Sequence, residues 1–133
     1  DTALTLWQNE CAESYCCFEH FMIESRRGAG WHQFSGLSSP IVQWFSAYYR
    51  PGTLTTGFDA FVRHTDWASD NSALNATLDF TAAGRSTVLA VLQPGPKAVT
   101  ASVPCTVTTR HDWLIELTFA LDAPCTVTIS IHS

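Results

Sequence analysis

Charge is scarce in this chain. Only 14% of its 133 residues are Asp, Glu, Lys or Arg, against roughly 25% in an average soluble domain. Lysine occurs once, at Lys97. Seven Lys and Arg residues face twelve Asp and Glu, for a net charge of -5. A nucleic-acid binder carries a basic stripe, and none is present, so that class is excluded as a partner. No apolar run approaches the roughly 20 residues of a membrane-spanning helix, so no membrane partner is expected. No C-x-x-C pair occurs, and the cysteine spacing fits no zinc finger or ribbon. Neither a metal nor another cofactor is therefore expected. Disorder is also excluded: it needs low hydrophobicity and high charge, and here 46% of the residues are hydrophobic. With so few charges to cover the outside, part of the surface is expected to meet a partner.

What is present divides near residue 50. Before it, aromatics and glutamates dominate: Trp7, Tyr15, Phe18, Phe21, Trp31, Phe34, Trp44, Phe45, Tyr48 and Tyr49. After it, Thr, Val and Ala alternate between Pro- and Gly-bearing breaks. Leu4, Trp7, Cys11, Tyr15, Phe18 and Met22 recur at three- and four-residue spacing, which predicts a helix from Ala3 to about Met22. The Arg26-Arg27-Gly28-Ala29-Gly30 stretch reads as an irregular turn. Ser38-Ser39-Pro40 is a helix start signal, and the second helix should run through Ile41, Trp44, Phe45 and Tyr48 and stop before Arg50-Pro51-Gly52. At helical spacing Trp44 and Tyr48 are expected in the core rather than as a sugar platform. Two helices joined by a glycine-rich loop make an αα-hairpin.

From Thr53 onward the pattern is β. Strands are expected at Thr53–Val62, Ala73–Phe80, Ser86–Leu92, Ala98–Val103, Thr106–Arg110, Trp113–Ala120 and Cys125–Ile131. Short strands with turns every eight to twelve residues indicate an antiparallel β-sandwich. The fold class is thus α+β, with a helical hairpin over residues 1–50 and a β-sandwich domain over 51–133. His64, Thr65, Asp66, Trp67 and Asp70 read as a polar surface turn between strands, with sugar or calcium contact as the minority reading.

The five cysteines leave one thiol unpaired within the chain or paired outside it. Pro-Cys-Thr-Val-Thr occurs at Pro104–Thr108 and again at Pro124–Thr128. This matched placement predicts a Cys105–Cys125 disulfide between neighbouring strands; the pairing of Cys11, Cys16 and Cys17 stays open. Asn75-Ala76-Thr77 is an N-glycosylation sequon. With the low lysine content and the expected bridge, it points to a secreted glycoprotein; the alternative is a cytosolic protein with five buried free thiols. The chain opens on Asp1 with no visible signal peptide, and the expectation is a mature, processed or excised product.

The densest polar stretch is Glu19-His20 followed by Arg26 to Phe34. Sugars need this mixture, with aromatic rings for their apolar faces and carboxylates and amides for their hydroxyls. The bland reading is a helix-end cap or salt bridge. A serine nucleophile near His32 would draw on Ser35, Ser38 or Ser39, but no Gly-x-Ser-x-Gly elbow exists. A metal held by Glu19, His20 and His32 fits no His-Glu-x-x-His pattern.

Trp7 to Cys11, Phe18-Glu19-His20-Phe21, Gly28 to Ser38 and Tyr49-Arg50-Pro51-Gly52-Thr53 resemble the closing part of the six-hairpin, (α/α)6-barrel glycosidases of the glucosidase I, trehalase and glucoamylase type. The resemblance covers about the first 55 residues. It implies that Glu19, between aromatics, is the general base of an inverting glycoside hydrolase. It also implies that His20, Trp31, His32 and Gln33 line a sugar subsite, with a glucan-type carbohydrate as ligand. The family's acid, an aspartate on an earlier helix, has no matching position, so hydrolysis by this chain alone would be incomplete. The expected function is the C-terminal segment of a secreted glycoside-hydrolase-like protein, partnered by a missing barrel segment or another copy of the chain. The alternative is a non-catalytic secreted structural, self-assembling or binding protein.

Overall fold

The computed structural model describes residues 5–9, 18–22, 24–25, 27–32 and 35–132. The chain forms two compact units, Asp1–Ser46 and Ala47–Ser133.

In the first unit, residues 5–9 are helical (α1). Strands β1 (Phe18–Phe21) and β2 (Gly28–His32) pair antiparallel, with Phe18 opposite His32 and Phe21 opposite Gly28. The expected helix to Met22 is therefore corrected: a strand hairpin occupies its C-terminal part, and the described residues do not confirm the αα-hairpin. Aromatic residues gain little in a helix and favour the pleated surface of a strand. The hairpin turn closes through the Met22 N–H donating to the Arg27 carbonyl at 3.0 Å and the Arg27 N–H donating to Ser25 Oγ at 3.3 Å. Gly30 takes φ +83° within β2, a conformation that strongly favours glycine.

Helix α2 spans Ser35–Tyr49. It begins ahead of the Ser38-Ser39-Pro40 cue and stops where expected. Arg50 precedes Pro51, and a residue before proline is pushed out of the helical region. Ile41 is buried, but Trp44 is 54% and Tyr48 46% exposed. The expectation that these two rings sit in the core is corrected.

The second unit holds eight strands in two four-stranded antiparallel sheets. One has the order β4 (Ala60–Trp67), β5 (Leu74–Phe80), β10 (Cys125–His132), β7 (Ala98–Ala101). The other has the order β3 (Thr53–Thr55), β6 (Gly84–Val91), β9 (Leu114–Leu121), β8 (Cys105–His111). Side chains alternate across each strand. Leu74, Ala76, Leu78 and Phe80 of β5 and Val127, Ile129 and Ile131 of β10 therefore share one buried face. They form one core with Val88 and Ala90 of β6 and Ile115, Leu117 and Phe119 of β9. The Phe80 and Phe119 rings, one from each sheet, lie 5.2 Å apart between centroids. The unit is β-sandwich-like, and its stability rests on this apolar interior.

This architecture overturns the resemblance to an (α/α)6 barrel. The described residues are mostly strands in antiparallel sheets, with only α1 and α2 as helices. The expected Cys105–Cys125 bridge is corrected too, since both thiols are free. The two Pro-Cys-Thr-Val-Thr stretches start strands of opposite sheets, not neighbouring ones. Stacked sheets stand about 10 Å apart, whereas a disulfide needs Cα atoms within about 7 Å. The burial of Cys105 pushes its thiol pKa up, which favours the unreactive protonated form.

Candidate ligand-binding groove

The expected strand from Thr53 to Val62 is split in two. Thr56 to Asp59 form a break, and β4 then continues through His64, Thr65, Asp66 and Trp67. These four residues are a strand, not the surface turn that their polarity predicts. A bulge falls between Val62 and His64. It shifts the in–out alternation by one residue, so that His64 and Asp66 lie on the outer face while Trp67 packs against the core.

Pairing across the sheet then sets out rows of polar side chains on that face. Asp66 faces Asn75, Asn75 faces Ser130, and Ser130 faces Thr100. In the next row His64 faces Thr77 and Thr77 faces Thr128. Beyond it Ser102 joins Thr128 twice: its N–H donates to the Thr128 carbonyl at 2.9 Å, and its Oγ accepts from the Thr128 N–H at 3.0 Å. Rows of this kind are about 4.8 Å apart across strands and about 6.6 Å apart along them. Together these residues line a groove of about 410 Å³.

The groove is bounded by a fixed ionic row. Arg63 Nε donates to Asp79 Oδ2 at 2.7 Å, and the Thr126 hydroxyl donates to Asp79 Oδ1 at 2.7 Å. The Thr126 hydrogen bond, then the Arg63 guanidinium, hold the Asp79 carboxyl below its ordinary range. Inside the groove the situation is the reverse. The side chains of His64, Asp66, Asn75, Thr77, Thr100 and Ser130 have no hydrogen-bond or ionic partner among the described residues. They offer a carboxylate, an imidazole, an amide and hydroxyls, all turned toward one concavity.

Asp66 is the one carboxylate in the groove lining. Glycoside hydrolysis of the common kind needs two, so the groove has the means to bind but not this acid–base pair. No group of three or more His, Cys, Asp or Glu suited to a metal occurs among the described residues.

The residues that the sequence singled out are elsewhere. Glu19 and His20 lie on β1 and Trp31 and His32 on β2, in the Asp1–Ser46 unit. The backbone pairing sets His20 opposite Ala29. Gln33 lies outside the described residues. The base role of Glu19 rests on the barrel resemblance alone, which the strand architecture overturns. Asn75 is the single expected site residue that lines the groove. In sequence His64 and Asp66 read as loop residues because the bulge breaks the period-2 pattern; the signal that finds them is the renewed alternation His64-Thr65-Asp66-Trp67.

Comparison of the chain with known proteins finds no matching protein family, no matching curated protein and no matching solved structure.

Proposed function

We propose that the Ala47–Ser133 unit is the non-catalytic, carbohydrate-binding part of a secreted protein, and that its groove takes a neutral oligosaccharide. The observation that carries this reading is the set of unpartnered polar side chains on one concave sheet face. Water satisfies such groups in the free protein, and a polyhydroxylated ligand replaces water with hydrogen bonds of the same kind. Among the described residues the groove lining has one carboxylate and no Lys or Arg, which favours an uncharged ligand over a phosphate or an acidic sugar. The secretion part of the reading rests on the exposed sequon at Asn75 and the single lysine; the sugar-binding form is the one whose Asn75 carries no glycan, since Asn75 lines the groove.

Calorimetric titration of the chain with neutral glucans and other neutral oligosaccharides tests the proposal. Saturable binding is expected, weakened at least tenfold in a His64→Ala, Asp66→Ala double variant that melts like the parent. Absence of binding to every sugar tried would remove the reading.

A further inference from the structure

The outer face of the sheet that carries the groove is polar but for one ring. Phe61 on β4 pairs with Asp79 on β5. Asp79 lies between Leu78 and Phe80, both buried, so alternation turns it outward. Residues directly opposite each other share a face. Phe61 therefore stands on the outer face, and it is 63% exposed. Among the described residues it is the only large apolar side chain that the pairing puts there. Single exposed apolar residues are ordinary on a protein surface; the place of this one is not.

The bulge decides that place. In an unbroken strand, alternation would send His64 inward whenever Phe61 points outward. The extra residue between Val62 and His64 puts Phe61, His64 and Asp66 on the same face. Bulges are over-represented beside functional sites, where they re-aim side chains in this way. Phe61 thus belongs to the row directly beyond His64 and Thr77. The polar groups of that row are engaged with each other: Arg63 donates to Asp79 Oδ2 and Thr126 to Asp79 Oδ1, each at 2.7 Å. With its carboxylate taken up, the row offers a ligand the Phe61 ring.

We infer, resting on the oligosaccharide reading of the groove, that Phe61 is its apolar subsite and that the ligand is a straight, β-linked glucan of the cellulose type. Sugars present C–H faces as well as hydroxyls, and an aromatic ring is the side chain that covers such a face. In a glucose ring all the hydroxyls can be equatorial, which leaves both faces as C–H surfaces. Asp66, His64 and Phe61 lie along one strand, with Phe61 two rows, or roughly 13 Å, from Asp66. One sugar ring cannot hydrogen-bond at Asp66 and stack at Phe61 together. A chain that does both runs straight along the strand. The β-linkage of cellulose keeps a glucan straight, whereas the α-linkage of starch coils it.

Calorimetric titration of the full chain with the β-linked glucose disaccharide, the β-linked tetrasaccharide and the α-linked tetrasaccharide tests this. The parent is expected to bind the β-linked tetrasaccharide tightest. Phe61→Ala is expected to weaken that ligand about tenfold, the order of one aromatic contact, and to leave the disaccharide unchanged. Phe61→Trp should keep the tetrasaccharide affinity. Phe61→Leu keeps apolar bulk without a flat ring and should lose it as Phe61→Ala does. The ring is exposed, so all three variants are expected to melt like the parent. Tetrasaccharide affinity that survives both Phe61→Ala and Phe61→Leu overturns the proposal. So does an equal loss for the disaccharide, or an α-linked chain bound as tightly as the β-linked one. Binding that depends on His64 and Asp66 but not on Phe61 removes this subsite and leaves the groove reading standing. A parent chain that binds no sugar removes both.

Discussion

The indole N–H of Trp113 donates to the backbone carbonyl of Tyr48 at 3.0 Å. Tyr48 lies in the last turn of α2, where carbonyls have no partner within the helix. Trp113 sits just before β9, in the turn that follows β8, so the β8–β9 hairpin caps the end of α2. The ring is held on two sides. His111 stacks on it at 4.5 Å with planes 8° apart, and Tyr49 lies tilted at 6.4 Å. Trp113→Phe keeps a ring in place but removes the donor. It is expected to lower the unfolding free energy by about 1 kcal/mol, the usual net worth of one hydrogen bond. Trp113→Ala removes the stack as well and should cost more. Urea unfolding followed by circular dichroism measures both, and an unchanged midpoint for Trp113→Phe would deny the capping role.

Gly52 begins the turn out of α2 at φ +81°. Its N–H donates to the Val91 carbonyl at 2.9 Å, which ties the turn to β6. A Cβ at this position would lie 2.6 Å from Asn71 Oδ1. Gly52→Ala therefore meets both a left-handed backbone and a side chain that must turn away. A loss of about 1–2 kcal/mol is expected from the backbone alone. Adding Asn71→Ala should recover only the contact part, so the double variant remains less stable than wild type in chemical denaturation.

Ser86 is the exception within an apolar interior. It is 4% exposed, on the inner face of β6 opposite Phe119, and its hydroxyl has no hydrogen-bond partner among the described residues. A buried unpaired hydroxyl costs free energy that a methyl does not. Ser86→Ala is expected to leave stability unchanged or to raise it by up to about 1 kcal/mol, read from the thermal midpoint.

The β half was legible because period-2 alternation reports directly on a half-buried strand. Leu74, Ala76, Leu78 and Phe80, and Val127, Ile129 and Ile131, show it without interruption, and all are buried. The alternation fails at Arg63, where the bulge inserts a residue and moves His64 and Asp66 to the outer face. A bulge is a pairing property, and within the strand it shows only as the renewed alternation from His64 to Trp67. The aromatic N-terminal stretch misled for another reason. Its three- and four-residue spacing fits a helix, but Phe18 and Phe21 also suit a short hairpin with Gly28 to His32. Periodicity over so few residues does not separate the two. The matched cysteines misled because a local repeat says nothing about which sheet each copy enters.

Asp79 gives the acid response its sign. Its carboxyl is held below its ordinary range by the Thr126 hydroxyl first and then by Arg63. A depressed carboxyl contributes stability that is present above its unfolded pKa and is lost as pH falls through the folded one. Thermal midpoints of the wild type should therefore fall as pH drops below about 4. In Asp79→Asn this part of the fall should be absent, so the two curves converge toward low pH. Curves that run parallel through the acid range would show that the Arg63–Asp79–Thr126 row contributes nothing pH-dependent.

Asn75 joins the sequon to the groove. It sits on β5, an inner strand of its sheet, between Asp66 on one side and Ser130 on the other. A glycan on its amide would rise from the floor of the groove, so glycosylation and binding of an external sugar should exclude one another. Production in a secretory host with an N-glycosylation pathway is expected to add mass that a peptide N-glycosidase removes. That form should bind the groove ligand at least tenfold more weakly than Asn75→Gln from the same host, which keeps an amide but loses the acceptor. The Asn75 side chain has no hydrogen-bond partner among the described residues, so Asn75→Gln should leave the melting curve close to the parent. Equal sugar affinity in the glycosylated and Asn75→Gln forms would mean that the ligand lies somewhere other than across Asn75, and the groove assignment would have to move with it.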